Sequence, residues 1–327
     1  HERIVDMAAR ELGLDPAEIR RRNFISPDAM PVTMPTGVTY DCGEFEAVMD
    51  KCLGIADYAG APKRKGEARA RGRLLGVGLS TTMDPSAVPS PETAELRFDP
   101  NGGATVLVGS TAGGQGHETI YTQMVSDRLG LTPKDIRVVE GDTGMLSWGT
   151  GTGASRTATI GGTALLGAMK KVVEKGRRIA AHLLEAALGD VAFEDGAYVL
   201  KGTDRSLEFG EVARAAFQPV KLPAGEEPGL YETATWSPEV ANIPNFCHVC
   251  ELEIDPETGG TEIMRYTAVH DVGVELNPAL VRGQVHGGIA QGAGQALMED
   301  MAFDPESGQL LTGSFLDYAI PRADHFP

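Results

Sequence analysis

Ser110-Thr111-Ala112-Gly113-Gly114-Gln115-Gly116-His117-Glu118 follows a short apolar run, Ala104 to Val108, and precedes a helical pattern from about Glu118 to Leu129. A strand that runs through glycines into a helix reads either as turn and helix-packing chemistry or as an anion-binding arrangement. The first N–H groups of the helix point at the ligand, and glycine lets the ligand approach the backbone. Three further stretches share this texture: Gly149-Thr150-Gly151-Thr152-Gly153-Ala154-Ser155-Arg156-Thr157, Gly161-Gly162, and Gly283-Gln284-Val285-His286-Gly287-Gly288-Ile289-Ala290-Gln291-Gly292-Ala293-Gly294. They concentrate an excess of glycine, 41 of 327 residues, against an ordinary share of about 7%. Thr150, Thr152, Ser155 and Thr157 add hydroxyls, while Gln115, Gln284 and Gln291 add amides that both donate and accept. The set suits a polar, phosphate-bearing, heteroaromatic ligand. None of the stretches matches a P-loop or a dinucleotide fingerprint with its following acidic residue.

Towards the N-terminus, Val5, Ala8, Ala9 and Leu12 recur at helical spacing and Gly13 closes the helix. Asp15, Pro16 and Glu18 read as a capping box for a second helix. Asp41 and Glu44 are expected to cap a third, with Phe45, Val48, Met49 and Cys52 on its apolar face. Gly60 to Arg73 is basic, small and poorly periodic and reads as a linker or an arm laid over a surface. Strands are expected at Gly76–Thr82, Ala94–Phe98, Ala104–Val108 and Ile136–Glu140, with a hairpin turn at Asp99-Pro100-Asn101-Gly102. A glycine-rich loop spans Gly141 to Gly162. The long helix after it carries Leu165, Met169, Val172, Ile179, Leu183 and Ala187 on one face, with Gly176 as a weak point. A hairpin near Val191–Leu200, a short helix near Phe209–Phe217 and a loop at Pro219–Gly229 follow. Two long strands, Asn245–Ile254 and Glu262–His270, a helix from about Pro278 to Asp300 and a strand near Gly313–Tyr318 complete the reading. Strands and helices alternate without strict βαβ regularity, which predicts an α+β fold of two α/β lobes behind an N-terminal helical segment.

Lys and Arg number 29 against 46 Asp and Glu, a net charge of −17. Such a surface repels phosphate backbones, which argues against nucleic-acid partners. No apolar run is long enough to span a membrane. Four cysteines are too few for a secreted disulfide scaffold, and a cytoplasmic location is expected. The chain opens inside a helical pattern without Met, so it is expected to be cut from something longer. Cys247-His248-Val249-Cys250 lies in an expected strand, where residues three apart face opposite ways and cannot share one ion. These cysteines read as structural. His117 and His286 sit within glycine-rich stretches and could touch a ligand or merely shape the backbone. Arg156 could pair with an anionic ligand or fix its own loop. Asn277 reads as a helix N-cap, and Asp142 as structural.

Taken in order, Gly114-Gln115-Gly116-His117-Glu118, Ser155-Arg156-Thr157, Asp271-x-Gly273-x-x-x-Asn277-Pro278 and Gly283-Gln284-Val285-His286-Gly287-Gly288 resemble the molybdenum-binding large subunit of the xanthine oxidase family. The aerobic carbon monoxide dehydrogenase type is the nearest in flavour. Glu11-Leu12-Gly13-Leu14-Asp15-Pro16, Arg20-Arg21-Arg22-Asn23, Phe315-Leu316-Asp317-Tyr318 and Pro321-Arg322 extend the resemblance over essentially the whole chain.

The resemblance implies a helical segment and linker over residues 1–72, leading from a preceding domain. A molybdopterin-binding domain over 73–327 would follow, with lobes at about 73–218 and 219–327. It implies a molybdopterin cofactor, in bacteria often the cytosine dinucleotide, with molybdenum held by the pterin dithiolene rather than by side chains. Gln115, Ser155, Thr157, Gln284 and Gln291 would contact it; Gly113, Gly114, Gly116 and His117 would shape the loop, and Arg156 would support it. The implied activity is oxidation of a small substrate (CO, an aldehyde or an N-heterocycle) with water-derived oxygen. Electrons would leave through [2Fe–2S] clusters and FAD on partner subunits, since four cysteines cannot ligate two such clusters. The family's general base is a Glu expected beyond Pro327, and its upstream cofactor and substrate loops are expected in the remaining part of the large subunit. The isolated chain is therefore expected to be inactive. The competing reading is a cofactor-free binding or subunit-assembly module of the same fold.

Overall fold

The computed structural model describes residues 1–327. The chain forms two compact units, His1–Asp84 together with Ile243–Pro327, and Pro85–Asn242. The first opens with α1 (Glu2–Leu12) and α2 (Pro16–Arg21). Asp15 caps α2 by accepting the Ala17 N–H at 2.8 Å. The expected capping box does not close, because the Glu18 carboxylate pairs instead with Arg22 at 2.7 Å, four residues on. A hairpin of β1 (Val32–Thr33) and β2 (Thr39–Tyr40) leads to α3 (Phe45–Ile55), which starts at Glu44 without a side-chain cap.

Gly60–Arg73 is largely helical: α4 occupies Ala61–Ala70 and runs to β3 (Leu74–Met83). Only Ala61 and Ala68 of α4 are buried, so the segment shows no apolar period. Alanine, lysine, arginine and glutamate form helix by propensity alone, and Pro62 suits the first turn. Arg64 ties α4 down through Glu251 at 3.0 Å and Asp57 at 2.6 Å.

The second unit contains β4 (Glu92–Phe98), β5 (Ala104–Val108), α5 (His117–Leu129), β6 (Ile136–Glu140) and α6 (Gly162–Leu183). It continues through β7 (Val191–Glu194), β8 (Ala197–Leu200), β9 (Ser206–Glu208), α7 (Phe209–Ala215) and β10 (Tyr231–Trp236). Its main sheet runs β10-β4-β5-β6, with β5 and β6 parallel across α5 and the other pairs antiparallel. Ala94, Leu96 and Phe98 of β4 form one core with Leu165, Ala168, Met169 and Val172 of α6. Each large apolar side chain so buried contributes about 1.5–3 kcal/mol. Gly176 is a packing site rather than a weak point, since a Cβ there would overlap the Tyr198 hydroxyl. Gly161 and Gly162 belong to a π-turn, Thr157–Gly161, and to the first residue of α6 rather than to a loop. Ala187 lies beyond the end of α6. Strands β9 and β10 had no counterpart in the sequence reading. β9 has only three residues, and β10 alternates exposed with half-buried residues at the sheet edge.

The chain then returns to the first unit with β11 (Asn245–Ile254), β12 (Thr261–Asp271) and α8 (Pro278–Leu297). The antiparallel sheet β12-β11-β3 buries Leu79, Cys247 and Val249 against Met49, Cys52 and Ala56 of α3. Alternation in β11 puts Phe246, His248 and Cys250 on the other face, so Cys247 and Cys250 point apart. Gly313–Tyr318 is not a strand: Asp317 and Tyr318 both donate back to the Ser314 carbonyl, closing a local turn. The unit boundaries also lie elsewhere than at residues 72/73 and about 218/219. Strand β3 pairs with β11, and β10 completes the sheet of β4.

Candidate cofactor-binding loops

The first glycine-rich loop leaves β5 and enters α5 in the second unit. Gly114 (φ +103) and Gly116 (φ +79) turn the chain through backbone conformations that residues with a Cβ seldom adopt. Gln115 is half-buried between them. Its Oε1 accepts the Gly113 N–H at 2.6 Å, which leaves its amide hydrogens unspent. His117 opens α5 and is buried, with Nδ1 3.0 Å from Glu140 Oε1. One ring nitrogen is thereby committed to the scaffold.

The second loop runs from β6 to α6. Its anchor is Glu92, the first residue of β4, whose carboxylate is 2% exposed and faces a 7% exposed Arg156 side chain. Arg156 Nη1 donates to Glu92 Oε2 at 3.1 Å and to the Gly151 carbonyl at 2.8 Å. Its Nη2 donates to the carbonyls of Ser90 and Pro91 at 3.1 and 2.7 Å. The Thr150 N–H also points at Glu92, at 3.2 and 3.3 Å from the two oxygens. This brace holds Ala154 (φ 46) and Ser155 (φ 50) in the left-handed region. Such a conformation costs a residue with a Cβ roughly 1–2 kcal/mol. Ser155 is exposed and its hydroxyl makes no bond within the chain.

Three threonines join the loops. Thr152 Oγ1 accepts the Thr111 N–H at 2.9 Å and donates to the Thr111 carbonyl at 3.0 Å. A hydroxyl has one proton, so the Thr157 hydroxyl, 3.1 Å away, is the donor to Thr152. Buried Thr157 therefore offers a ligand an acceptor. Gly109 and Gly149 cross so closely that a Cβ on either would overlap the other's backbone.

The second unit thus brings together Gly114, Gln115, Gly116, His117, Ser155, Arg156 and Thr157. Gln284 and Gln291 belong to the first unit, where both are exposed on α8, two turns apart and so on one face. Their glycine-rich stretch is helix throughout, so His286 lies on a helix rather than in a loop. Asn277 caps that helix by accepting the Leu280 N–H at 3.1 Å. Asp142 accepts the Gly144 N–H at 2.9 Å in a local turn.

Glu92, Glu140 and Tyr121 escaped the sequence reading. For Glu92 a signal was available. It shares a strand face with buried Ala94, Leu96 and Phe98, and a carboxylate in register with a core demands a partner. Nothing local marks Tyr121 or Glu140, because their partners converge only in the fold.

Two cross-braced glycine loops at strand ends, with an amide and a hydroxyl unspent, define an α+β domain built to hold a polar cofactor. The chain belongs to the molybdopterin cofactor-binding domain family, whose model matches residues 51–327. It is 35% identical over its full length to the carbon monoxide dehydrogenase large chain of Hydrogenophaga pseudoflava, of which it covers 42%. It is 35% identical over its full length to the nicotine 6-hydroxylase large subunit of Paenarthrobacter nicotinovorans, covering 41%. It superposes on quinoline 2-oxidoreductase from Pseudomonas putida 86 with a TM-score of 0.89 and 36% identity, over 99% of this chain and 43% of that one. The chain therefore spans less than half the length of these relatives. No helix is long and apolar enough to cross a membrane.

Proposed function

We propose that this chain supplies part of the cradle for molybdopterin, in its cytosine dinucleotide form, within a molybdenum hydroxylase large subunit. The observation that carries the reading is the pair of braced loops that spend their scaffold groups on each other yet leave Gln115 Nε2 and the Ser155 hydroxyl free. Gln115 would donate to the cofactor near its metal end, and Ser155 and Thr157 would bond the pterin or phosphate portion, Thr157 as acceptor. Gln284 and Gln291 would contact the pterin from α8. Gly114, Gly116, His117 and Arg156 act at one remove, by fixing where those donors stand. The strain accepted at Ala154 and Ser155 is of the kind that persists where a loop must meet a ligand in one conformation.

When bound, the cofactor would supply two-electron redox chemistry for oxidising CO, an aldehyde or an N-heterocycle with water-derived oxygen, delivering electrons to [2Fe–2S] and FAD partner subunits. The share of this chain in that chemistry is to bind and orient the cofactor. The test is to express the chain with the rest of its large subunit in a host that makes the cofactor, then to measure molybdenum and oxidised-pterin fluorescence per chain. Near-stoichiometric pterin is expected, with a severalfold loss in Gln115→Ala and a larger loss in Gln115→Ala combined with Ser155→Ala. Undiminished pterin in the double variant, or none in the wild type, would sink the assignment.

A further inference from the structure

Where β5, β6 and α5 meet, four side chains form a buried polar cluster. Glu140 Oε1 accepts from Ser110 Oγ at 2.5 Å and lies 3.0 Å from His117 Nδ1. The Tyr121 hydroxyl lies 3.2 Å from Ser110 Oγ and 3.3 Å from the Thr157 carbonyl. Ser110 spends its proton on the carboxylate, so the single Tyr121 proton is shared between Ser110 Oγ and the Thr157 carbonyl. Burial pushes the Tyr121 pKa up and keeps that proton in place. Gly161 provides the room: a Cβ there would stand 2.6 Å from the Tyr121 hydroxyl oxygen. One hydroxyl thus touches the root of the first loop and the exit of the second. Glu140, the last residue of β6, grips the first loop at both ends, Ser110 at its start and His117 at its end.

The geometry points to Tyr121 and Glu140 as positioning residues that set the spacing of the two glycine-rich loops, Tyr121 acting on both and Glu140 on the first. Their value to the cofactor rests on the reading proposed above. Neither residue touches the ligand; each acts through Ser110, His117 or Thr157.

Hydrogen exchange on the chain without cofactor tests the spacing directly. Tyr121→Phe is expected to speed exchange about tenfold, the equivalent of one hydrogen bond, in residues 111–116 and 157–161 together. Glu140→Gln should raise it in 111–116 only. Tyr198→Phe is the control, because Tyr198 is equally buried and its hydroxyl also donates to a backbone carbonyl, that of Val173 at 3.2 Å. It should loosen the core around α6 and leave both loops unchanged. The dissociation constant for molybdopterin cytosine dinucleotide should rise about tenfold in Tyr121→Phe and stay put in Tyr198→Phe. A response of one loop alone to Tyr121→Phe, or the same pattern from Tyr198→Phe, overturns the inference. Should the wild type bind no pterin while the exchange pattern holds, the cofactor reading fails and the spacing role stands. Should the wild type bind pterin and Tyr121→Phe change neither readout, the spacing role fails alone.

Discussion

Arg156→Ala removes the brace of the second loop, and the structure allows its cost to be worked out. Four hydrogen bonds are lost, to Glu92, Gly151, Ser90 and Pro91, each with a net worth of about 1 kcal/mol. The Glu92 carboxylate is left buried without its countercharge, and breaking one side of a buried pair costs about 3–5 kcal/mol. Glu92 keeps the backbone N–H groups of Thr93 at 3.0 Å and Thr150 at 3.2 Å, which pulls the expected loss to the low end, about 3 kcal/mol. For a unit of this size that lowers the midpoint by about 6–12 °C. Both tryptophans, Trp148 and Trp236, lie in the second unit, so their fluorescence follows its urea transition apart from that of the first. Arg156→Lys should recover less than half, since an ammonium cannot reproduce the guanidinium fork. A loss below about 1 kcal/mol in Arg156→Ala would refute the reasoning, because it would mean that Glu92 is not buried against this partner.

Two further outcomes follow from the packing and from a pair of half-buried histidines. Gly176→Ala, a change that favours an exposed helix by about 1 kcal/mol, should instead destabilise by roughly 1–3 kcal/mol because the new methyl meets the Tyr198 hydroxyl; Tyr198→Phe in the same chain should return part of it, read by the same urea transition. In the first unit His248 lies 2.7 Å from His270, Nε2 to Nε2, and burial together with that neighbour lowers its pKa from 6.5 to about 4. Burial lowers His270 as well. A base whose pKa falls on folding takes up its proton first in the unfolded chain. Stability is therefore unaffected above about pH 6.5, declines as the pH falls towards 4, and levels off below it. His248→Asn should flatten that decline in acid-unfolding curves, and an unchanged slope would contradict the assignment.

The loops were legible in the sequence because their chemistry is local: glycines between a strand and a helix, with amides and hydroxyls interleaved. The long strands β11 and β12 and the helix α6 were legible for the same reason, their apolar periods being carried by consecutive residues. α4 was hidden because it buries little and so shows no period, although its composition favours helix. β10 was hidden because an edge strand of alternating half-buried residues is defined by β4, a partner far away in the chain. The cluster of Ser110, Glu140, His117 and Tyr121 was hidden in a stronger sense. Each residue has an unremarked local role, and only the parallel pairing of β5 with β6 brings Glu140 back to the first loop. Arg156 had two readings in the sequence, ligand partner or loop brace. Its guanidinium contacts with Glu92, Gly151, Ser90 and Pro91 favour the second.

The most direct test of the cradle itself is difference hydrogen exchange on the large subunit containing this chain, with and without molybdopterin cytosine dinucleotide. Protection is expected in three places at once, Gly113–Gly116, Ser155–Thr157 and the α8 turns bearing Gln284 and Gln291, with the remaining backbone little changed. Cofactor binding that leaves the first two segments exchanging as before would contradict it.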